Sequence, residues 1–187
     1  MRLFFGLTLP PHVREATDAY ARRASCSIPG RYAPGGNHHL TLAFLGEVEP
    51  QRVQEAAAIL AACAGAFPAP QVTVTAPSHF GRAENAILIL RAESEPPLAP
   101  LHDALCDALR AALLPCDPGP FSPHVTLARH ARLSGAQLPP FSPVRFEAAQ
   151  AHVFLSARDA QNVLRYTPIA EASFPRHDAG CIADEVK

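Results

Sequence analysis

One order of elements occurs twice along this chain. An apolar strand leads through an amphipathic helix and a proline-rich loop to a strand that carries His-x-Thr. The first unit runs from Phe4 to His39 and the second from Leu88 to His124, spans of 35 and 36 residues. Duplicated units usually pack about a pseudo-two-fold axis, which here would bring both His-x-Thr strands to one shared cleft. Locally, residues 2–9 are an apolar run stopped by Pro10 and Pro11, and Val13, Ala16, Tyr20 and Ala24 sit at helical spacing over 11–25. Prolines and glycines make 27–37 a loop, and 39–45 reads as a strand closed by Gly46. A helix is predicted over 50–64 and an alternating, half-buried strand over 71–75. The second half gives a strand at 86–90 and a helix over 97–114 with Leu98, Leu101, Leu105, Leu109 and Leu113 along one face. Then follow a loop at 115–123, a strand at 124–129, and further strands near 144–148, 151–156 and 163–173.

Composition narrows the setting. The chain has 187 residues, 48% of them hydrophobic and 18% charged, with a net charge of -1. That supports one domain, or two small lobes sharing a core, and excludes a disordered chain. We read residues 1–175 as a single bilobal domain and 176–187 as a polar, poorly ordered tail. No run approaches the roughly 18 apolar residues of a membrane span, and the near-neutral balance argues against a protein that coats duplex nucleic acid. Any phosphate binding must come from a local cluster. Of the 16 basic residues only Lys187 is a lysine. Arginine is the better bidentate phosphate ligand, although genomic codon bias explains the excess more simply. The five cysteines include no C-x-x-C pair, which argues against a disulfide framework and a cysteine zinc site. The first strand is too short for a secretory signal, so a cytoplasmic protein is expected.

The chemistry sits in His39-Leu40-Thr41-Leu42 and His124-Val125-Thr126-Leu127. Strand side chains alternate, so each strand turns its leucines or valine to the core and presents an imidazole beside a hydroxyl. Nine histidines in this chain give about 0.3 chance matches to His-x-Thr. Two matches at corresponding places in a repeat are therefore a strong signal. In-line displacement at phosphorus needs one group to take a proton from the attacking oxygen and another to give one to the leaving oxygen. Histidine can do either near neutral pH, and the threonine hydroxyls can hold the non-bridging oxygens. Such a site calls for no metal and no cofactor. By parity His38 and Phe44 point away from Thr41, Phe44 into the core. Arg129 falls on the face opposite His124 unless the strand bends. Phe80 and Tyr166 are expected to pack in the core, as are Cys63 and Cys106. No catalytic role is expected for His12, His79, His102, His130, His152 or His177.

The paired motifs, His-Leu-Thr-Leu-Ala-Phe-Leu-Gly and Phe-Ser-Pro-His-Val-Thr-Leu-Ala-Arg, resemble those of the 2H phosphoesterase superfamily. Within it the chain looks most like the bacterial and archaeal RNA 2′,3′-cyclic phosphodiesterases, also called 2′-5′ RNA ligases. The resemblance covers nearly the whole chain. It implies an α+β fold of two pseudo-two-fold-related lobes, with mainly antiparallel sheets around a central cleft and helices outside. It also implies opening of a 2′,3′-cyclic phosphate to a 2′-phosphate, with His39 as proton donor and His124 as acceptor. The residues alone leave those two roles interchangeable. Thr41, Thr126 and Arg129 carry over as phosphate ligands. The implied substrates are RNA ends or short oligonucleotides with a 2′,3′-cyclic phosphate, handled by a monomer with no membrane partner. Ligation, hydrolysis of another small cyclic nucleotide, and non-catalytic RNA-end binding are the alternatives.

Overall fold

A computed structural model describes residues 1–117 and 119–175, so the expected tail at 176–187 lies outside the described residues. The strands are β1 (Arg2–Thr8), β2 (Arg31–Tyr32), β3 (His39–Glu47), β4 (Gln71–Phe80), β5 (Ala86–Glu95), β6 (His124–Ala131), β7 (Val144–Glu147), β8 (Gln150–Arg158) and β9 (Leu164–Ser173). The helices are α1 (Pro11–Ser25), α2 (Val53–Gly65) and α3 (Ala99–Ala111). A proline in the first turn starts α1 and α3, where no backbone N–H is needed.

The strands form one sheet in the order β7-β4-β5-β6-β3-β1-β8-β9, and β2 adds to β6. Every pairing is antiparallel. The order is symmetric about the β6–β3 junction. On one side lie β3, β1, β8 and β9, and on the other β6, β5, β4 and β7. The repeated unit is thus β1-α1-β3 on one side and β5-α3-β6 on the other, the α+β arrangement that the resemblance implied. Strands β3 and β6 join through a single residue pair, Leu40 with Val125, and β2 of the first unit adds Arg31–Arg129 and Tyr32–Ala128.

The helices cross that junction. Helix α1 follows β1 but packs against β6 and β7, whereas α3 follows β5 and packs against β3 and α2. Helix α2 covers β8 and β9. Leu40, Leu42, Val125 and Leu127 all enter one buried hydrophobic cluster with Tyr20, Leu60, Leu101 and Leu105. The opposite face of the sheet forms the cleft. Central strand β1 is buried on both faces. Leu3, Phe5 and Leu7 join the cluster under the helices, while Phe4 stacks on Phe154 at 4.8 Å on the cleft side.

Three expectations need correction here. Helix α3 ends at Ala111, and Leu113 takes a left-handed backbone, φ 56°, that turns its side chain out to 87% exposure. Leu114 fills the core place instead. Strand β4 continues past Thr75 to Phe80, because it pairs with β5 along most of its length. Cys106 is buried as expected, but Cys63 is only half-buried.

Gly6 marks the tightest backbone approach in the central strands. A Cβ there would lie 2.7 Å from the Leu40 carbonyl oxygen and 3.3 Å from the Phe154 ring. Gly6→Ala should therefore destabilise the fold by ~1–3 kcal/mol, the usual cost of overpacking. Chemical denaturation should show a lower midpoint at unchanged m-value, and an unchanged midpoint would show that β1 and β3 can part without cost.

Candidate active site

Extending the Leu40–Val125 register places His39 opposite Thr126 and Thr41 opposite His124 on the cleft face. The two copies hold their imidazoles by the same device. His39 Nδ1–H donates to the Asn37 carbonyl at 2.6 Å, and His124 Nδ1–H donates to the Ser122 carbonyl at 2.7 Å. A carbonyl only accepts, so Nδ1 carries the proton in each neutral ring and Nε2 is left as the working nitrogen. Thr41 Oγ1 lies 3.1 Å from His39 Nε2.

His38 is turned away from this group, as strand parity requires. Its Nδ1 lies 2.9 Å from Thr17 Oγ1 and 3.1 Å from Asp18 Oδ1, both on α1. Thr17 gives its own proton to the Arg14 carbonyl, so His38 Nδ1–H is the donor of that cluster. His38 thus braces the loop before β3 against α1.

Arg129 and Phe44 are where simple alternation fails. Gly6 pairs with Thr41 and Phe5 with Ala43, which leaves Leu42 as an extra residue in β3. Likewise Ile89 pairs with Thr126 and Leu88 with Ala128, which leaves Leu127 extra in β6. The same bulge in both copies shifts parity by one residue. Arg129 is thereby returned to the side of His124, and its charge is felt at both His39 and His124. Phe44, at the equivalent position, leaves the core and is 42% exposed in the cleft.

Further aromatic rings frame the site. Phe4, Phe154 and Tyr166 surround His39, with Tyr166 edge-on at 4.9 Å. Phe80 meets His124 edge-on at 4.9 Å and is 36% exposed. Phe80 and Tyr166 therefore line the cleft rather than the core. His102 stacks on Phe121 at 4.4 Å and donates from Nδ1 to the Leu42 carbonyl at 2.7 Å. A cavity of about 320 Å³ opens between Thr41, Phe44, Phe80, His102, Phe121 and His124. A second, of about 280 Å³, lies on the far side of His39 beside Arg14, Asn37 and Tyr166.

Asn37 is a site residue that pattern reading missed. It is buried in a short 3-10 turn, Gly35–Asn37. Its side-chain Nδ2 donates to the Leu164 carbonyl at 2.7 Å, and its Oδ1 accepts from the Tyr166 N–H at 3.3 Å. The amide thus completes the edge of β9 while its own carbonyl holds His39. An asparagine two residues before the first motif histidine was the only available signal.

With this geometry in hand the chain can be set beside known proteins. The sequence model of the 2′-5′ RNA ligase superfamily matches residues 9–159. The chain belongs to that family. It is 30% identical over 170 residues to the RNA 2′,3′-cyclic phosphodiesterase of Escherichia coli K12, covering 90% of this chain and 93% of that one. The crystal structure of E. coli LigT complexed with 3′-AMP superposes with a TM-score of 0.73 at 27% identity, covering 92% of this chain and 97% of that one. TT0787 of Thermus thermophilus has the same fold, with a TM-score of 0.74 at 24% identity over 95% of this chain and all of that one. The 2H phosphoesterase family expected from the paired motifs is thus the family found. Along the described chain no helix is long and apolar enough to cross a membrane.

Burial disfavours charge on these histidines. Desolvation lowers the pKa of His39 to about 4, against the opposing pull of the Asn37 carbonyl. His124, His38 and His152 are lowered by the same cause. An unfolded chain, with histidines near 6.5, then binds more protons than the folded one between about 4 and 6.5. Stability should be full above pH ~6.5 and fall as pH drops toward 4. Thermal melts across that window should show it, and His39→Gln should flatten the lower part. A melting temperature independent of pH there would contradict the burial argument.

Proposed function

We propose that this protein hydrolyses the 2′,3′-cyclic phosphate at RNA ends to a 2′-phosphate by metal-independent acid–base catalysis. The observation that carries the reading is the pair of Nδ1-anchored imidazoles whose Nε2 atoms are left for the cleft, each beside a threonine. The relative named RNA 2′,3′-cyclic phosphodiesterase supports the choice of substrate.

His124 Nε2 takes a proton from water as the water oxygen bonds to phosphorus. The P–O3′ bond breaks, and His39 Nε2–H delivers its proton to O3′. The product carries a 2′-phosphate and a free 3′-hydroxyl, and solvent returns the two imidazoles to their starting states. Thr41, Thr126 and Arg129 hold the non-bridging oxygens as negative charge gathers there. Phe44 and Phe80 offer exposed rings on which the terminal base stacks. Family resemblance assigns His39 as donor. In the free protein His39 holds its proton poorly, with a pKa near 4. The phosphate anion supplies the opposite charge that raises it.

Both histidines are then required. His39→Ala and His124→Ala should each lower kcat by at least ~10²-fold, the usual range for a general acid or base. His38→Ala should lower the melting temperature through its lost contacts on α1 with a much smaller effect on kcat. Equal losses of kcat for His38 and His39 variants would point to the wrong imidazole. Among the described residues no three His, Cys, Asp or Glu side chains converge as a metal ion requires. Excess EDTA should leave turnover unchanged. Activity lost to chelator and restored by one divalent ion would overturn the two-histidine mechanism.

The pH profile tests the donor. One imidazole must be neutral and the other protonated, so kcat/KM should fall on both sides of a maximum. The basic limb of kcat should lie at higher pH than that of kcat/KM, because the bound anion stabilises the imidazolium. Coincident basic limbs, or a profile flat to high pH, would remove His39 as the acid.

A further inference from the structure

The segment leading to β2 runs tightly along β6. Arg132 N–H donates to the Pro29 carbonyl at 2.9 Å and Ala33 N–H to the Leu127 carbonyl at 2.8 Å. Between these bonds Arg31 pairs with Arg129 and Tyr32 with Ala128. Ala128 is fully buried, and Tyr32 packs against the same core while its hydroxyl donates to the Ile28 carbonyl. Arg31 therefore occupies the opposite face, the one Arg129 shares with the catalytic histidines. Directly paired residues sit with their Cα atoms about 5 Å apart.

Two like charges in that position repel and cost stability. Nothing among the described residues relieves them, since neither guanidinium forms an ion pair or a hydrogen bond there. Arg52, Arg110 and Arg165, by contrast, each hold a carboxylate. Both arginines are exposed and their forks are free for a bidentate oxyanion. One anion, the reacting phosphate, accounts for Arg129 but leaves Arg31 unmatched. We propose that Arg31 binds the internucleotide phosphate one nucleotide upstream of the RNA end, making an oligonucleotide rather than a mononucleotide the preferred substrate. The inference rests on the RNA-end reading above and adds a second phosphate subsite to it.

The test compares kcat/KM for a 2′,3′-cyclic mononucleotide with that for a dinucleotide ending in the same cyclic phosphate. Wild-type protein should prefer the dinucleotide. In Arg31→Met that preference should shrink by about tenfold, the scale of one charge-assisted contact, and Arg31→Lys should recover part of it. A neutral methylphosphonate at the upstream linkage should erase the wild-type preference in the same way. Circular dichroism and melting temperature establish that the variants are folded. A preference unchanged in Arg31→Met, or an equal loss on both substrates, overturns the second subsite while leaving the reaction assignment standing. Failure of the wild type to open either substrate overturns the reaction assignment and this inference with it.

Discussion

Leu40 and Val125 are the one residue pair between β3 and β6, the strands that carry the two motifs, and the site depends on their register. A slip of one residue would turn one motif, His39 and Thr41 or His124 and Thr126, toward the helices and expose the two large apolar side chains that alternate with it. A single bridge is too weak to prevent that. What holds it is the burial of Leu40, Leu42, Val125 and Leu127 beneath helices that cross the junction, α1 toward β6 and α3 toward β3. Neither half can move without uncovering the other. Stability and function therefore rest on the same contact.

The parts of the site set by local alternation were legible in the sequence. His39, Thr41, His124 and Thr126 share a face because period two holds across three residues, and His38 is excluded for the same reason. Phe44 and Arg129 were not legible, because their side depends on a bulge. A bulge is a relation between two strands, here Leu42 against β1 and Leu127 against β5, and no single-strand pattern displays it. The two failures have opposite consequences. Phe44 left the core for the cleft, while Arg129 regained the face on which a phosphate ligand must sit. Asn37 and Arg31 were missed for another reason. They lie in a 3-10 turn and a two-residue strand, elements too short to carry any periodicity.

The duplicated unit makes the histidines equivalent in backbone, but their surroundings differ. His39 is enclosed by Phe4, Phe154 and Tyr166, and Asn37 ties its anchoring carbonyl to β9. His124 is anchored on Ser122 in the loop before β6, with the partly exposed Phe80 against its ring. Desolvation accordingly falls harder on His39. Duplication alone gives two interchangeable imidazoles. Unequal burial separates their proton affinities, and in the free protein His39 is the one that holds a proton less well.

That separation has a direction that matters for selectivity. With no anion present, burial and the nearby Arg129 both favour neutral rings, so the cleft favours two uncharged imidazoles. A neutral ligand would leave it so. An anion reverses the balance, because it offsets the guanidinium and stabilises an imidazolium at once. On the proposed reaction the phosphate thus completes the catalyst that acts on it, and the burial that leaves His39 seldom protonated in the free protein becomes a means of discrimination. The low dielectric of the enclosed ring strengthens its attraction to a charge that does arrive. Aromatic walls around His39 then serve two ends, excluding water and making its protonation depend on the substrate's own charge.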